Sequence, residues 1–136
     1  MTNTDASATT LDAPANPGVQ RLALGLSYRG ASFLGWQSQA GGNTVQDALE
    51  SALQAFATQP IRTRSAGRTD TGVHAVLQVV HIDAPVARDA QSWVRGTNRY
   101  LPSEVAVQWC VPVASNFHAR ASAIARTYRY LCLESP

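Results

Sequence analysis

An α+β domain of the split-βαβ, ferredoxin-like kind, in which two helices back a mostly antiparallel sheet, is the fold this 136-residue chain predicts. Three observations point to it. Apolar residues alternate with period two over residues 21–28 and again over 105–111, and they recur at helical spacing between Val45 and Phe56. Prolines and glycines then punctuate these runs into the order β-α-β-β-α-β, with one more strand after it.

In the first strand Leu22, Leu24, Leu26 and Tyr28 share one face, and Ala23, Gly25 and Ser27 share the other. A glycine-rich loop over 29–42 follows, and it carries Phe33 and Trp36, unusual cargo for an idle linker. With Asn43 or Thr44 as cap, Val45, Ala48, Leu49, Ala52, Leu53 and Phe56 predict an amphipathic helix over 44–58, ending before Pro60. Residues 61–66 read as a short strand, and 76–83, apolar and β-branched, as a longer one closed by Pro85. Asp89 caps a second helix that runs to about Tyr100 and is stopped by Pro102. Val105, Val107, Trp109 and Val111 form the next strand, a loop spans 114–125, and a last strand is expected over about 127–133.

Residues 1–19 are small, polar and proline-punctuated, without an apolar core or an Arg, so they are expected to be a disordered tail rather than a secretory signal or transit peptide. The folded part is then 20–136, one domain. No stretch approaches the roughly 18 apolar residues that span a bilayer, and a cytoplasmic protein is expected. All eleven basic residues are Arg, and residues 20–136 set eleven Arg against seven acids, a formal +4. Arg62, Arg64 and Arg68 crowd one stretch and Arg120, Arg126 and Arg129 another, and guanidinium is the side chain that grips phosphate bidentately. Cys110 and Cys132 lack a CxxC partner and read as buried packing residues. His74, His81 and His118 are scattered, with no HxH or HExxH, so no metal site is expected.

The most informative run is Gly67-Arg68-Thr69-Asp70-Thr71-Gly72-Val73-His74-Ala75. It sets a carboxylate beside a permanent cation on a turn bracketed by glycines. If the segment is extended, Arg68 and Asp70 share a face, and a guanidinium close to a carboxylate favours the ionised form. Asp-Thr-Gly is also ordinary turn chemistry, and it opens the active-site loop of aspartic proteases. There, however, two carboxylates share one proton, and the neighbouring Arg68 argues against that arrangement.

With these pieces in order, the chain resembles the tRNA pseudouridine synthase A family over residues 21–133. The matching stretches begin with Tyr28-x-Gly30, Phe33-x-Gly35-Trp36-Gln37-x-Gln39 and Thr44-Val45-Gln46. They continue with Ala66-Gly67-Arg68-Thr69-Asp70-x-Gly72-Val73-His74-Ala75, Gln78-Val79-Val80-His81 and Asn98-x-x-Leu101-Pro102. Phe117-His118-Ala119-Arg120-x-Ser122-Ala123 and Arg126-x-Tyr128-x-Tyr130 complete the set. The resemblance implies the N-terminal domain of an isomerase that detaches uracil from ribose, turns it and rejoins it through C5, acting on uridines 38, 39 and 40 of the tRNA anticodon stem-loop. It implies no metal or organic cofactor, and a homodimer. It makes Asp70 the catalytic aspartate, Arg68 its adjacent arginine and Tyr128 the tyrosine that packs on the target base. His118 and Arg120 are expected to orient their loop or meet the RNA backbone. Arg68 is expected to pair with Asp70 in the empty site and to trade to a phosphate or to the vacated base position when RNA enters.

The chain departs from the family pattern at Arg29, where an Asp is usual, and at Thr71, where an Ala is usual. Family members are roughly twice as long, with a second, similar domain closing the cleft, so the expectation is an N-terminal catalytic half without its C-terminal domain. Two rivals remain: a non-catalytic RNA-binding module of the same fold, and a dimeric aspartic protease, which would be all-β.

Overall fold

A computed structural model describes residues 19–121. Strand β1 (Gln20–Tyr28) leads through a short 3-10 turn (Gly30–Ser32) into helix α1 (Val45–Ala57). Strands β2 (Arg64–Ser65) and β3 (Ala75–Ala84), helix α2 (Ala90–Tyr100) and strand β4 (Val105–Pro112) follow. The strands form one sheet in the order β2-β3-β1-β4, every neighbouring pair antiparallel. This is the split-βαβ layout, and it excludes the all-β architecture a protease would need.

Alternation along the strands decides which side chains meet the helices. Leu22, Leu24 and Leu26 of β1, Val80 and Ile82 of β3, and Val105 and Val107 of β4 meet Val45, Leu49 and Leu53 of α1 and Trp93 of α2 in a single core. Each such side chain contributes roughly 1.5–3 kcal/mol on burial. Phe56 of α1 meets Trp93 edge-on, with ring centroids 5.1 Å apart, which locks the two helices together. Asn98 ties α2 to the sheet, its amide donating to the Val107 carbonyl at 3.0 Å and accepting from the Val107 amide at 2.8 Å. Cys110 is buried, as its sequence context predicts, and burial pushes its thiol up to about 11.

The caps follow the sequence. Thr44 Oγ1 accepts from the Asp47 amide at 3.2 Å and donates to its carboxylate at 2.8 Å. Asp89 Oδ1 accepts from the Ser92 amide at 2.7 Å, a bond that holds this carboxyl below its ordinary value. One element is shorter than expected. Only Arg64 and Ser65 of the 61–66 stretch enter the sheet, because the Thr63 amide and hydroxyl both turn to the Glu50 carboxylate of α1 at 2.9 Å. A backbone donor spent on a helix carboxylate is lost to the strand ladder. The tail to residue 18, the last expected strand, Cys132, and Arg126, Tyr128 and Arg129 lie outside the described residues.

Candidate active-site loop

The chain from Ala66 to His74 forms an irregular loop between β2 and β3, and four separate ties hold it. At its entry the Ala66 amide donates to the Val79 carbonyl at 2.8 Å. The buried Gln78 amide then grips Gly67, donating from Nε2 to its carbonyl at 2.6 Å and accepting from its N–H at 3.4 Å. In the middle, Thr69 is held through both its backbone and its side chain. Its carbonyl accepts from the Trp36 amide at 3.0 Å, and its hydroxyl lies 2.7 Å from the hydroxyl of buried Tyr28. At the exit, His74 Nδ1 accepts from the Gly30 amide at 3.0 Å.

The glycines of the resemblance explain why the 29–44 loop can lie against this one. A Cβ on Gly30 would overlap the Val73 carbonyl, and Gly35 has φ +86 with the Thr69 carbonyl at its Cβ position. No other residue type fits such close backbone approach without displacement. Trp36 is 2% exposed and stacks with Tyr28, centroids 6.2 Å apart, so its part is to pack the loop rather than to face solvent. The Val45 amide donates to the Gly35 carbonyl and the Gln46 amide to the Trp36 carbonyl, which fastens the same loop to the start of α1.

Asp70 sits at the outer end of this frame and is exposed, with its carbonyl accepting from the Val73 amide at 3.1 Å across a turn completed by Gly72 at φ +82. Arg68 is exposed too. The two do not pair, which corrects the expectation of an ion pair in the empty site: among the described residues the ion pair within 4.0 Å is Arg21 with Asp83. The reason is local. Residues 67–70 lie in no strand, since Thr69 is pulled inward by Tyr28 and Trp36, and the shared-face argument for positions two apart applies only to extended chain. Arg62 and Arg64 are likewise exposed and make no ion pair among the described residues. Around the loop the surface turns apolar, with Leu34, Val73, Val76 and Leu77 all exposed.

His118 and Arg120 lie on the segment after β4. His118 Nδ1 accepts from the amides of Arg120 at 3.3 Å and Ala121 at 3.4 Å, closing a turn. Tyr128 lies outside the described residues. A concavity of about 730 Å³ runs beside α1, lined by residues that include Glu50, Gln54, Pro60 and Arg62, and it contains none of Arg68, Asp70, His118 or Arg120. Among the described residues no three His, Cys, Asp or Glu side chains gather as a metal site would require, and no helix is long and apolar enough to cross a membrane. Sequence reasoning overlooked Thr69 and Gln78 as loop anchors. Gln78 could have been found, because a polar residue on the apolar face of a strand must satisfy its amide somewhere.

Fold and site together define a ferredoxin-like α+β domain with an Asp-bearing loop braced at the rim of its sheet. Over residues 26–120 the chain matches the family described as tRNA pseudouridine synthase, and it belongs to that family. Curated proteins named tRNA pseudouridine synthase A from Polaromonas naphthalenivorans and Methylibium petroleiphilum are 64% and 65% identical to it over 116 residues. That match covers 85% of this chain but 44% and 45% of those proteins, so the chain spans less than half the length of these relatives.

Proposed function

We propose that this chain carries the catalytic half of a tRNA pseudouridine synthase, an isomerase acting on uridines 38, 39 and 40 of the anticodon stem-loop, in the cytoplasm and as a homodimer. The observation that carries the reading is the exposed Asp70 carboxylate on a loop whose backbone is fixed on both sides of it. Such bracing supplies orientation without burying the charge. Cleaving the bond between uracil N1 and C1′ builds oxocarbenium character on the ribose, and a carboxylate held close stabilises it by its charge or by bond formation. The freed ring turns, C5 joins C1′ as any bond from the carboxylate breaks, the C5 proton leaves and N1 takes up a proton. No cofactor enters this sequence.

The target base must first leave its stack, at a cost of a few kcal/mol, and an aromatic face returns about 1–3 kcal/mol. Tyr128 is assigned that part. Arg68, with no carboxylate to hold in the described structure, is assigned to RNA phosphate or to the space the base vacates, and His118 and Arg120 to the RNA backbone. Arg62 and Arg64, exposed and without ion-pair partners among the described residues, add to the same field.

Release of tritium from C5-labelled uridine in tRNA tests the reading, run beside a filter-binding assay at the same salt. Release that depends on Asp70 supports it. Binding without release makes these 136 residues the non-catalytic RNA-binding module. Arg68→Lys should release tritium at least tenfold more slowly than the parent, because an ammonium lacks the planar fork; equal rates would remove the guanidinium from the mechanism.

A further inference from the structure

The face of the sheet opposite the helices carries a second polar assembly, which the loop of Asp70 does not use. Arg21 of β1 and Asp83 of β3 are register partners there, and so are Ala23 and His81. The Arg21 guanidinium spans Asp83 with Nε to Oδ1 at 2.8 Å and Nη2 to Oδ2 at 3.1 Å, and its third donor, Nη1, reaches the Phe117 carbonyl at 2.7 Å. His81 Nδ1 accepts from the Ala119 amide at 3.0 Å, a bond between residues 38 apart in sequence. The imidazole is 4% exposed, with the Phe117 ring edge-on at 6.2 Å and the His118 ring at 4.7 Å. A stretch of irregular chain is thus lashed to the sheet by a buried arginine and a buried histidine, and the next residue along it is Arg120.

We propose that His81 is a positioning residue for RNA binding: by accepting the Ala119 amide proton it fixes the Phe117 to Ala121 segment on the sheet and so sets where Arg120 meets the polynucleotide. The proposal rests on the tRNA reading above for its last step. Strand β3 then serves both halves of the site. Gln78 on its core face grips the Asp70 loop at Gly67, and His81, three residues on and about 10 Å along the strand, grips the Arg120 segment on the other face. A rigid strand keeps the two in register.

The bond exists only while Nδ1 is unprotonated. The groups facing the imidazole are Arg21 from β1, Arg64 from β2, Asp83 from β3 and His118 from the docked segment; burial, then Arg21 and His118, lower its pKa to about 4, against an opposing pull from Asp83. The dock is therefore closed at neutral pH and opens in acid.

The test uses the full 136-residue chain with His81→Leu, His81→Asn, Arg120→Ala and the double variant His81→Leu/Arg120→Ala. Asn keeps an acceptor near the Nδ1 position, and Leu removes it. Amide hydrogen exchange at Ala119 reads the dock, and a labelled anticodon stem-loop RNA at fixed salt reads affinity. In His81→Leu, Ala119 should exchange roughly tenfold faster with the Leu24 amide unchanged, and RNA affinity should fall to that of Arg120→Ala. His81→Asn should restore both, and the double variant should bind no more weakly than Arg120→Ala alone. Acidification toward pH 4 should loosen Ala119 in the parent but not in His81→Asn. Unchanged Ala119 exchange in His81→Leu, no rescue by Asn, or additive losses would overturn the proposal. A parent chain that protects Ala119 yet binds no RNA would instead overturn the tRNA reading and the role given to Arg120, with the dock itself still observed.

Discussion

Replacing Gln78 with Leu separates the frame of the Asp70 loop from the stability of the core. The side chain is 6% exposed, sits opposite Leu26 in the register and spends its amide on Gly67. Of the two bonds lost, the one at 2.6 Å is short and the one at 3.4 Å is long, so together they represent about 1–2 kcal/mol net. Leu fills nearly the same volume and adds apolar burial worth about 1 kcal/mol beside Leu26. Gly67 is half-buried, and water can reach its freed carbonyl. The net change in global stability is then about 0–1 kcal/mol, a shift in Tm of no more than about 5 °C. The loop loses its tie at Gly67 regardless. Amide exchange from Gly67 to Gly72 should rise roughly tenfold, one decade for each 1.4 kcal/mol of local stability, while Leu24 and Val80 exchange as before. Turnover should fall with it, because the carboxylate is no longer held in a single orientation. Unchanged exchange in the loop would refute the assignment of Gln78 as its anchor, and a Tm drop above about 10 °C would show that the amide belongs to the core instead.

Asp70→Asn should leave the melting curve within about 0.5 kcal/mol of the parent, since Asp70 is exposed, yet lower tritium release by roughly a thousandfold or more; retained release would exclude the carboxylate. Thr97 is fully buried, and its hydroxyl has no hydrogen-bond partner among the described residues, so Thr97→Val should stabilise the domain by about 1 kcal/mol in urea unfolding. His81 titrates near 4 when folded and near its ordinary 6.5 when unfolded, so the unfolded chain takes up the proton first as the pH falls. Its contribution to stability is complete above about 6.5 and is lost between about 6.5 and about 4, on the order of 3 kcal/mol in all. His81→Asn should flatten that part of the stability profile, and an unaltered acid limb would place the titration elsewhere.

Much of the architecture was legible in the residues because it depends on neighbours a few positions away. Leu22, Leu24 and Leu26 alternate as the core face of a strand must, and Thr44 and Asp89 cap the helices they precede. The site was legible in part. Asp70 and Arg68 lie exposed on one loop, but their pairing does not form, and the anchors Tyr28 and His74 reach across 41 and 44 residues of sequence. No local pattern announces such partners. Only the family motif hinted that these stretches belong together.

Composition, periodicity and capping chemistry determined the class of fold and the order of its elements, since backbone sterics and the exclusion of apolar groups from water act on a few residues at a time. The folded molecule alone decided that Thr63 answers Glu50 rather than the sheet, that Thr69 turns inward between Arg68 and Asp70, and that His81 holds Ala119. Those choices follow from which polar groups are left without water once the core has closed, and that is settled by distance in space rather than along the chain.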